Sequence, residues 1–225
     1  MKNSTNVIIA SIILGIFLII GFIFVGKNSK DKILTLPIKV DEYSDFQCPA
    51  CNQFHTIANE IRDIEGVEFT FKHFPLTSIH DRAYQAAIAS EAAREQGKFA
   101  EYHDLLFQNQ PTQNESDTFE DEDFFQYAKE LGLDVDKFKA DYVKPEIKER
   151  VDKDMADGKN IGINSTPSLI VNGERFTMIG KDGDQIVNEI KELVEKAKVN
   201  MQSETLDQQP TEPIDVTVTP EITQN

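Results

Sequence analysis

Cys48 and Cys51 are the only cysteines of this 225-residue chain, and two residues separate them. Thiols at this spacing suit disulfide exchange, in which one thiolate attacks a disulfide and the second resolves the mixed disulfide. The pair follows a strand-like alternation over residues 38–42 and opens a segment whose apolar positions have helical spacing. Because a helix N-terminus stabilises a thiolate, we expect Cys48 to be the exposed nucleophile and Cys51, one turn inside, the shielded resolving thiol.

The cysteine pair has two other interpretations. Cys51 and His55 are four residues apart, so Cys48, Cys51 and His55 could approach one metal ion. Structural zinc normally takes four ligands, and the remaining histidines offer no second ligand pair at zinc-finger spacing: His73, His80 and His103. An inert disulfide is the other interpretation, but closing so short a loop removes little chain entropy. The spacing therefore favours redox chemistry, and we expect no metal site.

The elements around the cysteines predict an α/β domain with an inserted helical region. Residues 67–71 predict a second strand, parallel to the first. Residues of about 78–161 carry mostly helical periodicity. Two strands, 168–171 and 175–178, then flank Asn172–Gly173, the strongest two-residue hairpin signal, and a final helix follows. The order is β-α-β, a run of helices, then β-β-α.

Four segments together resemble the DsbA-like thiol–disulfide oxidoreductases, and the membrane-anchored members are nearest in layout. The segments are EYSDFQCPAC at 42–51, HFPL at 73–76, GKFAEYHDLLF at 97–107 and STPSLIVNG at 165–173. They occur in the family's order and spacing and span nearly all of residues 33–200. The resemblance implies a thioredoxin-like fold with an inserted all-helical domain.

The resemblance also implies a role for five residues. Cys48 and Cys51 would form the redox-active disulfide. Thr166–Pro167 would be the substrate-binding loop, in which Pro167 is cis and packs beside the cysteine pair. Glu42 matches an acid that moves the proton of the inner cysteine. Glu42 also lies on the same strand face as Ile38 and Val40, which predicts an inward side chain. The alternative is an ordinary exposed glutamate on the strand. No cofactor is implied.

The two ends of the chain differ from its centre. Residues 7–25 are uncharged and apolar, long enough at about 1.5 Å per residue to cross a bilayer as one helix. No small-x-small site follows, so residues 1–32 are expected to be an uncleaved anchor and linker. Residues 201–225 lack Lys and Arg and contain three prolines, which predicts a disordered acidic tail. The folded domain is then about 33–200.

The predicted function is an extracytoplasmic thiol–disulfide oxidoreductase that introduces disulfides into secreted or surface proteins. Its net charge of −16 argues against nucleic-acid binding. The resemblance implies reduced secreted proteins as partners, a quinone-linked membrane re-oxidase of DsbB or VKOR type, and a monomer facing outward from the cell membrane. Ala50 stands where strongly oxidising members have histidine, so a reductase or isomerase remains an alternative. A non-catalytic anchored metal- or peptide-binding domain is another.

Overall fold

A computed structural model of the protein describes residues 37–111 and 118–207. The predicted membrane helix at 7–25 and most of the predicted tail lie outside these residues. Within them, every helix is too short or too polar to cross a bilayer. The fold below is therefore that of the predicted domain and its helical insertion.

The centre of the domain is a four-stranded sheet in the order β2-β1-β3-β4. Strand β1 (Ile38–Ser44) pairs in parallel with β2 (Val67–His73) and antiparallel with β3 (Ser168–Val171), which pairs antiparallel with β4 (Glu174–Phe176). The parallel pair is confirmed, as is the two-residue hairpin: Asn172 and Gly173 both have positive φ, as a type I′ turn requires. Strand β4 is shorter than predicted and ends at Phe176.

Seven helices surround this sheet in the described part of the chain. Helix α1 connects β1 to β2, five helices lie between β2 and β3, and the last helix follows β4. Their bounds are α1 Pro49–Arg62, α2 Ala83–Arg94, α3 Phe99–Gln108, α4 Asp121–Glu130, α5 Val135–Tyr142, α6 Pro145–Asn160 and α7 Gly183–Asp207. The all-helical insertion is confirmed. Helix α5 was not predicted; it begins where the Asp134 side chain accepts a hydrogen bond from the Lys137 N–H.

The tail boundary at residue 201 differs from the prediction. Helix α7 continues to Asp207 and so includes residues 201–207, which the sequence assigned to the tail. The segment lacks glycine and proline before Pro210, so nothing in the sequence stops the helix earlier. Residues 208–225 lie outside the described part.

Two of the four apolar clusters among the described residues adjoin the site. In one, Phe54, Ala58 and Ile61 of α1 pack with Ile190 and Val194 of α7 against the sheet. The other lies mainly in the insertion and includes both cysteines and Phe46. Burying a phenylalanine, isoleucine or valine side chain stabilises the folded state by about 1.5–3 kcal/mol relative to leaving it exposed. The cysteine pair therefore lies where the sheet-based core meets the helical insertion.

Candidate active site

Cys48 and Cys51 lie where β1 gives way to α1. Cys48 is the N-cap residue of α1, with extended φ and ψ, and Pro49 occupies the first helical turn. The Cys48 carbonyl accepts hydrogen bonds from the N–H groups of Cys51 (3.0 Å) and Asn52 (3.2 Å). Proline has no N–H to lose at this position, and its fixed φ suits the start of a helix. The predicted placement of the pair at a helix N-terminus is confirmed.

Cys48 is the acidic thiol of the pair. A hydrogen bond from the Cys51 thiol is the main cause that lowers the pKa of Cys48 to about 5, against the effect of burial. The N–H groups of Ala50 and Cys51 lower it further. Only 7% of Cys48 is exposed, which is less than expected, because the loop before β3 covers it: its Sγ lies 3.5 Å from the Thr166 carbonyl oxygen.

Cys51 is the shielded thiol. It is fully buried against the insertion core, and burial raises its pKa above the ordinary range. The neighbouring Cys48 raises it further, because a second negative charge beside a thiolate is unfavourable. Two cysteines three positions apart therefore have opposite shifts. Both are free thiols in this structure.

The Thr166–Pro167 peptide bond is cis, as the resemblance implies, and it directly precedes β3. The loop brings the Thr166 carbonyl oxygen to Cys48. The Thr166 hydroxyl is buried without a hydrogen bond of ordinary geometry among the described residues, and it adjoins both sulfurs, where it favours their thiolate forms. The structure thus places this loop beside the cysteines, while its role in binding substrate stays a prediction.

Glu42 points inward, as its position on β1 predicts, and only 2% of it is exposed. Burial raises its pKa to about 7, so the carboxyl group can hold or release a proton near neutral pH. Ser44 follows on the same strand face, and its hydroxyl adjoins both Glu42 and Cys51, partly offsetting the effect of burial on each pKa. The carboxyl group and the inner thiol thus share a neighbour.

A buried carboxylate that the sequence reading missed holds the loop before Cys48. Asp45 accepts hydrogen bonds from the N–H groups of Gln47 (2.7 Å) and Leu76 (2.7 Å) and from Nδ1 of His80 (2.8 Å). Hydrogen bonds to the oxygens of a buried carboxylate offset the cost of removing its charge from water. Asp45 therefore fixes the loop that carries the cysteines against the loop after β2. Its position three residues before Cys48 was the available signal.

Gln110, just after α3, holds the same loop from the insertion side. Its side-chain amide donates to the carbonyl oxygens of Phe46 (2.8 Å) and Cys48 (3.1 Å). Nothing in the sequence connects Gln110 with residues more than sixty positions earlier; only the tertiary fold does. The cysteine loop is thus fixed from both sides, by Asp45 and by Gln110.

The metal site considered for Cys48, Cys51 and His55 is not assembled. The His55 ring is hydrogen-bonded to Asp104 of α3, with 2.8 Å between Nε2 and Oδ1. In the described part of the chain, one group of three or more possible metal ligands converges: His55, His103 and Asp104. The cysteines take no part in it.

Similarity to known proteins agrees with this geometry. A family profile described as thioredoxin matches residues 36–196, so the chain belongs to the thioredoxin family. Within it the chain is DsbA-like. BdbD from Bacillus subtilis, in its oxidised form, is 26% identical with a TM-score of 0.60, over 76% of this chain and 90% of that one. DsbA from Xylella fastidiosa is 23% identical with a TM-score of 0.59, over 73% and 88%.

Curated relatives share only part of their length with this chain. A Na(+)/H(+) antiporter NhaA 3 from Salinispora tropica is 37% identical over 140 residues, which is 62% of this chain and 21% of that protein. A Na(+)/H(+) antiporter NhaA from Herminiimonas arsenicoxydans is 36% identical over 152 residues, 67% of this chain and 22% of that protein. The chain matches about a fifth of their length, and the antiporter name describes those longer proteins.

Proposed function

We propose that this protein is an extracytoplasmic thiol–disulfide oxidase, which introduces disulfide bonds into secreted or surface proteins through Cys48–Cys51. One observation carries the proposal: the two thiols have opposite pKa shifts, to about 5 for Cys48 and upward for Cys51. A disulfide is a strong oxidant when its reduced form is stabilised, and a stabilised Cys48 thiolate does that.

The exchange begins when a substrate thiolate attacks Sγ of Cys48 in the oxidised protein. The Cys48–Cys51 bond breaks, a mixed disulfide forms, and Cys51 leaves as a thiolate. Because the pKa of Cys51 is raised, this thiolate takes up a proton. We expect Glu42, with a pKa of about 7 and with Ser44 as a neighbour in common with Cys51, to supply it.

A second substrate thiolate then attacks the substrate sulfur of the mixed disulfide. The new substrate disulfide forms, and Cys48 leaves as a thiolate. A thiol of low pKa leaves faster, so a Cys48 pKa of about 5 accelerates this step. The two electrons remain on the reduced cysteine pair, and an oxidant must remove them before the next turnover.

The membrane context of this proposal rests on the sequence. The apolar segment at 7–25 would anchor the chain, and the catalytic domain would face the extracytoplasmic side, where disulfides persist. The re-oxidising partner would be a quinone-linked membrane protein of DsbB or VKOR type, and the substrates reduced, unfolded secreted proteins. The domain would act as a monomer.

Ala50 favours a second candidate, a disulfide reductase or isomerase on the same scaffold. Ala50 is exposed and uncharged, so the residue between the cysteines adds no positive charge beside the thiolate. A Cys48 pKa of about 5 lies between the values of about 7 in thioredoxin and about 3.5 in DsbA. The pKa of Cys48 thus lies between those of a reductant and a strong oxidant, so the reduction potential has to decide between the two candidates.

The reduction potential of the full chain separates the two candidates. The protein would be equilibrated in glutathione buffers, and free thiols would be trapped by alkylation. A potential between about −120 and −200 mV supports an oxidase, whereas one near about −270 mV marks a reductant. A value below about −300 mV would indicate a structural disulfide and contradict both.

A further inference from the structure

His55, His103 and Asp104 form a compact cluster of possible metal ligands behind the cysteine pair. His55 lies on α1, one turn beyond Cys51, and the other two lie on α3 of the insertion. One ligand atom from each residue lies within 4.8 Å of the others. We call these three residues the histidine–aspartate cluster. It joins two parts of the fold that are distant in sequence, and the exchange reaction described above does not use it.

A single oxygen, Oδ1 of Asp104, lies between the two rings. It is 2.8 Å from Nε2 of His55 and 3.0 Å from Nδ1 of His103. A tetrahedral zinc ion with bonds of about 2.0–2.1 Å holds neighbouring ligand atoms about 3.3 Å apart. These two contacts therefore need to open by only about 0.3–0.5 Å to admit an ion.

Aromatic rings enclose the His103 imidazole, which is buried. The ring centroids of four phenylalanines lie 4.6–5.8 Å from it: Phe46, Phe71, Phe99 and Phe107. The His103 ring is therefore held in place, with Nδ1 in contact with the Asp104 carboxylate.

The surroundings of the cluster are partly open to solvent, but one amide contacts it: Nδ2 of Asn59 lies 3.3 Å from Nε2 of His55 and would have to turn aside for an ion. The Asp104 side chain is 37% exposed, which provides an entry path and a position for water. Arg62 is the nearby positive charge and opposes a cation at His103, whereas the net charge of −16 favours cations around the whole protein. Two imidazoles and one carboxylate are a ligand set that borderline divalent ions such as Zn²⁺ prefer.

We propose that the histidine–aspartate cluster is a binding site for one divalent transition-metal ion of the Zn²⁺ class. The ion would cross-link α1 to α3 and thereby hold the cysteine-bearing helix against the insertion. Because the ion would bind only the folded protein, it would also stabilise the fold in proportion to its concentration. The competing explanation is a hydrogen-bonded cluster in which Asp104 accepts from both rings and no metal binds.

The test is Zn²⁺ titration of the full chain carrying Cys48→Ser and Cys51→Ser, because free thiolates would bind zinc themselves. Calorimetry should show one ion per chain, and bound Co²⁺ should give the visible absorption of a low-symmetry nitrogen–oxygen site. Asp104→Asn and, separately, His103→Gln should each weaken binding by more than about tenfold. Because Asp104 is partly exposed, its asparagine variant is expected to fold.

The matched control is His80→Gln. His80 also contacts a carboxylate, Asp45 at 2.8 Å, but has no second histidine beside it. Binding should be unchanged in this variant. The proposal is overturned if the protein without cysteines binds no Zn²⁺, or if Asp104→Asn and His80→Gln bind it equally well. Neither result would affect the redox proposal, which rests on the cysteines.

Discussion

The first turn of α1 and the buried layer beneath it shift the pKa of a cysteine thiol in opposite directions. Cys48, at the start of the helix, receives hydrogen bonds from the Cys51 thiol and from peptide N–H groups, which lower its pKa to about 5. Cys51 is fully buried, and desolvation raises its pKa. Glu42, in the same buried layer, is also shifted toward its protonated form. The position of each cysteine relative to the start of the helix, rather than its residue type, therefore determines which thiol is acidic and which stays protonated.

Replacing either cysteine should break this division most strongly. Cys48→Ser removes the acidic sulfur and should reduce disulfide exchange to the uncatalysed rate, measured with a reduced protein substrate. Cys51→Ser should instead accumulate mixed disulfides at Cys48, because nothing resolves them. If Cys48→Ser kept full exchange activity, both redox candidates would be wrong.

Replacing Glu42 should change the pH dependence of the buried layer. A pKa raised from 4.5 to about 7 means that the folded protein holds a proton that the unfolded chain releases across this range. The free energy of unfolding therefore falls as the pH rises from 4.5 to about 7, by up to about 3 kcal/mol. Glu42→Gln should remove this slope in urea unfolding.

The matched control for Glu42 is Glu68→Gln on the neighbouring strand, whose side chain is exposed. It should leave the slope intact. The Glu42→Gln variant should also slow the release of Cys51 from the disulfide near neutral pH, because its proton donor is gone. Equal slopes in wild type and Glu42→Gln would show that this carboxyl group is not shifted.

Ala50→His should sharpen the contrast at the first turn. A protonated imidazole between the cysteines favours the Cys48 thiolate, so the pKa of Cys48 should fall by about one unit and the potential should become more oxidising. Ala50→Gln is the neutral control of similar size. The pH dependence of Cys48 alkylation measures the effect, and an equal pKa in both variants would show that charge at this position does not matter.

Gln110→Ala should have the smallest effect, because it removes hydrogen bonds to the Phe46 and Cys48 carbonyl groups without touching a sulfur. The expected loss in the free energy of unfolding is about 1 kcal/mol. Gln126→Ala, an exposed glutamine of α4, is the control and should be neutral. If both variants lose the same amount, the contact from the insertion side does not hold the cysteine loop.

The sequence predicted the parts of the fold that local patterns encode. Strand alternation and the Asn172–Gly173 turn were enough for the parallel strand pair and the hairpin, and the four resembling segments were enough for the thioredoxin fold with its insertion. The pairing of β1 with β3, which joins these two units into one sheet, was not predicted. The long-range polar contacts of the site were not predictable, because only the tertiary fold brings Leu76 to Asp45, Phe46 to Gln110 and His55 to Asp104. His55 shows the reason. Its spacing from Cys51 suggested a shared metal ion, but its ring is hydrogen-bonded to Asp104 of α3 instead.

The most direct test of the central claim is the pH dependence of alkylation of each thiol in the reduced full chain, followed by mass spectrometry. We expect Cys48 to react with a midpoint near pH 5 and Cys51 to stay unreactive throughout the range in which Cys48 titrates. A Cys48 midpoint near the ordinary value of about 8.5, or equal reactivity of the two thiols, would contradict the account.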